Sequence, residues 1–226
     1  MQPFSSEGII LHALNFKDYD KILTVFTPDH GIIKTIVHKA STKGKSPLEP
    51  LIHADFVLLK GRSEILKCQE ISVKNRYLGL REHYLHLEAA CDLIKAVQES
   101  QYPDKPALSL YQLLTYSLEK LTQAPHPFAL TASFRLKILR HDGLLMLERR
   151  CTVCQDTSLG AFHLFGGESY CSQHAPIHAQ VFSPDEMQQL DVLIHCRSFG
   201  ELAAQSIQKP FHDKVKDFFS SCLQNQ

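Results

Sequence analysis

Two short knuckles, Cys151-Thr-Val-Cys154 and Cys171-Ser-Gln-His174, separated by sixteen residues, constrain this chain more than any other feature. A two-residue gap turns the backbone around a point, so each knuckle offers two donors to one corner, and two knuckles close the tetrahedral shell that structural zinc takes. A closed shell leaves no position for a catalytic water, so the expected Zn holds a loop together instead of doing chemistry. The segment between the knuckles, with Gly166-Gly167 near its middle, reads as a hairpin, which predicts a zinc-ribbon-like module over 149–180. Two other readings stay open: a redox CxxC pair, which belongs in a strand-helix-strand context and needs no second knuckle, and a metal-free loop. His163 and His178 are neighbouring alternatives to His174 as fourth ligand. Cys68, Cys91, Cys196 and Cys222 stand singly among apolar or helical residues and are expected to be buried, reduced thiols.

Around this module the hydrophobic period changes once. Residues 8–14, 21–27, 31–37, 53–59 and 63–73 are five short β-like runs, and Pro28-Asp-His-Gly31 supplies a hairpin turn between the second and third. Five strands with no intervening helical repeat predict a small antiparallel barrel of the OB-fold kind over 1–78. Beyond residue 79, Leu80, Tyr84, Leu87, Ala90, Ile94 and Val97 recur at helical steps until Pro103. Further helices are expected over 107–123, from Pro127 to Asp142-Gly143, from a Ser183/Glu186 capping box onward, and over 211–223. The expected fold is therefore α+β and multidomain: a barrel, then an all-α domain over 79–148 and 181–226 in which the first three helices share a core and into which the metal module is inserted. No basic leader precedes an apolar stretch and no window reaches ~18 apolar residues, so neither export nor a membrane span is expected.

With 24 Lys and Arg against 24 Asp and Glu, the chain as a whole has no net attraction to polyanions, and any anion-binding face must be local. Between residues 34 and 76 nine basic residues meet four acids. Lys34, Lys39, Lys43, Lys45, Lys60, Arg62 and Lys67 are the candidate phosphate contacts. In Lys39-Ala-Ser-Thr-Lys-Gly-Lys45 the lysines alternate with small residues that let a nucleic-acid backbone approach. An ordinary solvated loop is the competing reading. On the third helix, Phe134, Arg135 and Arg140 form a candidate basic and apolar patch for an acidic peptide, against the simpler reading of a charged outer face. No phosphate loop, dinucleotide fingerprint, nucleophile elbow or HExxH is present, and His212-Asp213 and Glu82-His83 read as surface pairs, so no enzyme is expected.

Glu7-Gly-Ile-Ile-Leu11, the run from Tyr19-Asp-Lys-Ile-Leu through Thr27-Pro-Asp-His-Gly31, His38-Lys39 and Leu48-Glu-Pro-Leu51 occur in the order used by the RecO family of bacterial recombination mediators, which the chain resembles over nearly its whole length. Arg150-Cys-Thr-Val-Cys154, Phe162, Gly166-Gly167 and Cys171 to His174 resemble the metal module of that family. The resemblance implies a non-enzymatic DNA repair protein. It would bind single- and double-stranded DNA, anneal complementary strands, join RecR, and contact the acidic C-terminal tail of single-stranded-DNA-binding protein so that RecA is loaded. It also implies a bacterial cytoplasmic, nucleoid-associated location. Lys34, Lys39, Lys43 and Lys45 fall on the family's DNA surface, and Phe134, Arg135 and Arg140 in the helical domain that receives the tail. Two departures stand out: Ala40-Ser41-Thr42-Lys43 replaces a denser arginine run, and His174 stands where a fourth Cys is common. The rival function is a non-catalytic adaptor that uses the barrel and the zinc module only as docking surfaces.

Overall fold

In the computed structural model, which describes residues 3–41 and 47–224, the amino-terminal strands are β1 (Pro3–Phe16), β2 (Asp20–Thr27), β3 (Gly31–Val37), β4 (His53–Leu59) and β5 (Leu66–Asn75). They close a barrel in the order β1-β2-β3-β5-β4, with β1 also pairing β4. All pairings are antiparallel except β3 with β5, which is parallel. This is the expected OB-like barrel. Ile10, Leu23, Val25, Ile33, Phe56 and Leu58 fill its interior, and burying each such side chain is worth about 1.5–3 kcal/mol. The turn into β3 depends on Gly31, whose φ of 62° suits glycine and whose Cα faces the carbonyl oxygens of Lys105 and Tyr102 with no room for a side chain.

A 3-10 turn, Leu78–Arg81, leads into helices α1 (Tyr84–Ser100) and α2 (Leu108–Leu121). These two group with the barrel, because the chain forms two compact units, Met1–Thr122 and Gln123–Gln226. The link between α1 and α2 is stitched to the β2–β3 turn: the amides of Ile32, Asp104 and Ala107 donate to the carbonyls of Tyr102, His30 and Pro28. Tyr111 of α2 lies 5.8 Å from the Phe26 ring and hydrogen-bonds His53 Nε2 at 3.1 Å. The boundary between the compact units thus falls after α2, and not at residue 79, where the hydrophobic period changes. Heptad-like spacing shows that a helix has an apolar face but not which surface covers it.

The second unit is built on α3 (Pro127–His141), which packs against α4 (Pro184–His195), α5 (Phe199–Ala203) and α6 (Lys209–Gln224). Between α3 and α4 lies a three-stranded sheet of order β7-β6-β8, formed by β6 (Phe162–Phe165), β7 (Glu168–Tyr170) and β8 (Gln180–Phe182). The hairpin β6–β7 turns at Gly166-Gly167 as expected. β8 and α5 are additions that the spacing did not reveal, both being too short to show a period. His212, expected at the surface, is buried, with Nε2 3.0 Å from Thr131 Oγ1. Of the four single cysteines Cys222 is buried, Cys68 and Cys196 are half-buried and Cys91 is exposed, correcting the expectation for the last. No helix among the described residues is long and apolar enough to cross a membrane.

The capping box at α4 is complete: Ser183 Oγ accepts from the Glu186 amide and Glu186 Oε2 from the Ser183 amide. Ser183→Ala is expected to cost about 1 kcal/mol of unfolding free energy, measured by denaturant titration; a loss below about 0.3 kcal/mol would show that the cap contributes nothing.

Candidate metal cluster and basic barrel face

The second unit brings the two knuckles together through its small sheet. Thr152, inside the first knuckle, donates its amide and its hydroxyl to the Ser169 carbonyl, at 2.9 and 3.1 Å. Ser169 lies on β7, two residues before Cys171. Gln155 adopts φ 63° while its amide closes the first turn on the Cys151 carbonyl, and the His174 amide closes the second on that of Cys171. The hairpin holds its place because Gly167, at φ 85°, sits directly against the Leu144 carbonyl, where a Cβ would clash at 1.8 Å.

The outcome is a cluster of Cys151, Cys154, Cys171 and His174 with every donor atom within 4.8 Å of the others. Cys154 Sγ is 3.9 Å from Cys171 Sγ, and His174 Nδ1 lies 3.2 Å from Cys171 Sγ and 3.8 Å from Cys151 Sγ. A tetrahedral ion with zinc's bond lengths spaces sulfurs about 3.8 Å apart and sulfur from nitrogen about 3.5 Å apart, so the donor set fits such an ion. Burial would push the Cys151 thiol up, but the amides of Cys154, Cys171 and Val153 aim at its sulfur and hold it down at about 6. Thiolate is the form a metal needs. His174, and neither His163 nor His178, completes the group among the described residues.

The basic residues divide into two sets. Lys74 pairs with Glu7 at 2.9 Å and Asp55 at 2.7 Å, and Arg76 donates to the Pro47 carbonyl, so this part of the basic surplus is neutralised or engaged. Lys34, Lys60, Arg62 and Lys67 are exposed and enter no ion pair among the described residues. Register gathers them. Ile36 is the partner of Lys67, and Leu59 is the partner of the same residue on its other side. Lys34 shares the outer face of β3 with Ile36, which puts it about 8 Å from Lys67 across adjacent strands. Lys60 and Arg62 follow directly on β4. Lys39 is exposed at the far end of β3, while Lys43 and Lys45 lie outside the described residues.

Lys39 has φ 54°, uncommon for a side chain that is not glycine. Asp20 supports it: Oδ1 accepts the Lys39 amide at 3.0 Å and Oδ2 meets His38 Nδ1 at 2.8 Å. Asp20 belongs to the Tyr19-Asp-Lys-Ile-Leu run that carries the family resemblance, but no local spacing ties it to partners eighteen and nineteen residues away. Beside the same segment a cavity of about 420 Å³ is lined by residues including Val37, His38, Leu48, Cys68, Ile71 and Arg76.

The expected patch on α3 does not form as drawn. Phe134 and Arg135 are each 1% exposed, with the Arg135 guanidinium 5.7 Å from the Phe219 ring centroid. Lys137 donates to the Cys196 carbonyl at 2.8 Å. α3 is covered by three helices, so its charged and aromatic residues fill an interior, and of the three candidates Arg140 alone is exposed.

The Lys39 amide and then the His38 ring lower the pKa of Asp20 from its ordinary 3.8. A depressed carboxylate stabilises the fold above the unfolded-state value and loses that contribution as pH falls through the folded-state value. The stability difference between wild type and Asp20→Ala is thus expected to be full above about pH 5 and to shrink below 3.8. Urea titrations across that range check it; a difference that grows on acidification would refute the clamp.

Similarity to known proteins agrees with this architecture. The family model described as "Recombination protein O N terminal" matches residues 1–77 and "Recombination protein O C terminal" matches residues 81–226. Their boundary falls at the 3-10 turn, where the hydrophobic period changes. The DNA repair protein RecO of Chlamydia muridarum is 24% identical over 221 residues, 96% of this chain and 94% of that protein. That of Chlamydia pneumoniae is 26% identical over 200 residues, 87% and 79% respectively. That of Bifidobacterium longum subsp. infantis is 24% identical over 223 residues, 96% and 93%. Matched by family models along almost its entire length, the chain belongs to the RecO family of DNA repair proteins.

Proposed function

We propose that this chain is a non-catalytic recombination mediator of the bacterial cytoplasm and nucleoid. It binds single- and double-stranded DNA on the outer face of its barrel, anneals complementary strands, and acts with RecR and single-stranded-DNA-binding protein to assist RecA loading. The observation that carries the reading is the group of cations Lys34, Lys60, Arg62 and Lys67, unpaired among the described residues and gathered by the β3, β4 and β5 register. Phosphates displace counterions onto such a face, and neutralising the repulsion between two strands lets complementary bases pair without nucleotide hydrolysis. Lys39, exposed beyond the end of β3, belongs to the same proposed contact set, and Lys43 and Lys45, outside the described residues, are assigned to it from the sequence alone. The acidic tail of single-stranded-DNA-binding protein is assigned to the surface around Arg140, since Phe134 and Arg135 lie inside.

The cluster of Cys151, Cys154, Cys171 and His174 is assigned a structural Zn. When bound, zinc supplies cross-linking of the two knuckles and, with four protein donors, no open position for chemistry. The protein's own part is to present thiolates: amide donors favour the charged sulfur of Cys151, and the β6–β7 hairpin holds both turns in place.

Two measurements test these assignments. Lys34→Glu with Lys67→Glu is expected to abolish annealing and to reduce the slope of log K against log salt for single-stranded DNA by about 1.4, two phosphate contacts at roughly 0.7 each. Unchanged annealing in the double variant would remove the barrel face from the account and favour the adaptor role. Native mass spectrometry should find one zinc per chain, lost in Cys154→Ser with a lowered melting temperature, because structural zinc contributes roughly 10–16 kcal/mol of apparent binding energy in small modules. Equal stability with and without chelator would exclude a structural role.

A further inference from the structure

Phe16, Tyr19, Phe26 and Phe56 differ in exposure in a way that chain order does not separate. Phe26 and Phe56 are fully buried, whereas Phe16 is 37% and Tyr19 58% exposed, together with Leu14 at 53%. All three exposed residues sit at the tip of the β1–β2 hairpin, where Phe16 pairs Asp20 and Lys17, at φ 55°, opens the turn. Their exposure has a mechanical cause. The β1–β2 register shifts between Ile10 and His12, and an extra residue in a strand exchanges its two faces from that point on. Ile10 points into the barrel and Ala13 packs against the same core, so Leu14 and Phe16, which strict alternation from Ile10 would turn inward, are turned out.

This apolar tip is joined to the basic loop. The Ser41 amide donates to the Tyr19 carbonyl at 3.0 Å, and Asp20, next to Tyr19, holds His38 and the Lys39 amide. Lys17 Nζ stands 5.5 Å from the Phe16 ring centroid. Of the two acids at the tip, Asp18 and Asp20, the second is therefore occupied by the loop. Aromatic rings raised into solvent, flanked by lysines and fixed to the start of a lysine-rich loop, combine the two elements of single-strand recognition: π faces for bases and cations for phosphates.

We propose that Phe16 and Tyr19 form a base-stacking platform for single-stranded DNA, with the β1–β2 hairpin contacting unpaired bases while the barrel cations hold the backbone. This rests on the DNA-binding reading and adds to it a preference for unstacked strands over duplex. Stacking needs bases and not phosphates, and its contribution does not depend on counterion release.

The test compares the full-length protein with Phe16→Ala/Tyr19→Ala on an oligothymidylate about twenty nucleotides long and on an abasic strand of equal length. The variant is expected to bind oligothymidylate about tenfold more weakly or worse, with an unchanged salt slope, and to bind the abasic strand as wild type does. Because the chain contains no tryptophan, Tyr19→Trp supplies a single reporter whose fluorescence oligothymidylate should quench and the abasic strand should not. Undiminished oligothymidylate binding by the double variant, or an equal loss on both strands, would overturn the platform while leaving the cationic face intact. Failure of the wild type to bind either strand would overturn the DNA-binding reading and the platform with it.

Discussion

A five-stranded sheet becomes a barrel only if strands distant in sequence meet along their edges, and here closure rests in part on the short parallel contact between β3 and β5. Two residue pairs make it, Thr35 with Leu66 and Ile36 with Lys67, reinforced by the Thr35 hydroxyl donating to the Leu66 carbonyl at 3.1 Å. Parallel strands cannot be joined by a tight hairpin, and the connection from β3 to β5 here passes through β4, which pairs with both β1 and β5. That one closure sets which side chains become neighbours. It carries Lys67 to the side of Lys34, and by pairing Leu59 to Lys67 it brings the β4–β5 turn with Lys60 and Arg62 to the same region. The opposite effect operates on the β1–β4–β5 face, where Glu7 and Asp55 flank Lys74 and neutralise it. The division between usable and consumed charge is thus a product of strand order.

Local backbone irregularities refine this frame. The bulge in β1 reverses the facing of the hairpin tip, and the left-handed Lys39 turns the chain away from β3 under the hold of Asp20. The Lys39 conformation is held by Asp20, at the start of the neighbouring strand β2. The metal cluster shows the same logic at smaller scale. Two turns separated by sixteen residues become one donor set because Thr152 is bonded to the strand that delivers Cys171, and because Gly167 fits against Leu144 where no other residue would.

Chemistry confined to a few adjacent residues was legible from the sequence. The knuckles, the Gly-Gly hairpin, the turn at Pro28 to Gly31 and the Ser183 capping box all occupy their expected places, since spacing over two to four residues is fixed by backbone geometry alone. Strands β3 and β4 were bounded to the residue, 31–37 and 53–59, by their apolar alternation and flanking turns. The family resemblance was carried by the same local motifs. Local spacing does not fix which surface covers a helix face. α1 and α2 group with the barrel, and Phe134 and Arg135 are buried because α3 is enclosed by three helices that periodicity cannot count.

The sequence by itself therefore determined the local chemistry: which residues can turn, cap, alternate or ligate, and that cations accumulate between residues 34 and 76. Tertiary structure alone decided which of those cations remain available, which aromatics are raised into solvent, and which buried groups serve only packing. The physical reason is that burial and charge neutralisation are properties of pairs of surfaces. The members of those pairs lie on different strands: Asp20 meets Lys39 through the β2–β3 hairpin, Lys74 meets Glu7 across β4, and Lys34 comes beside Lys67 only when β3 closes on β5.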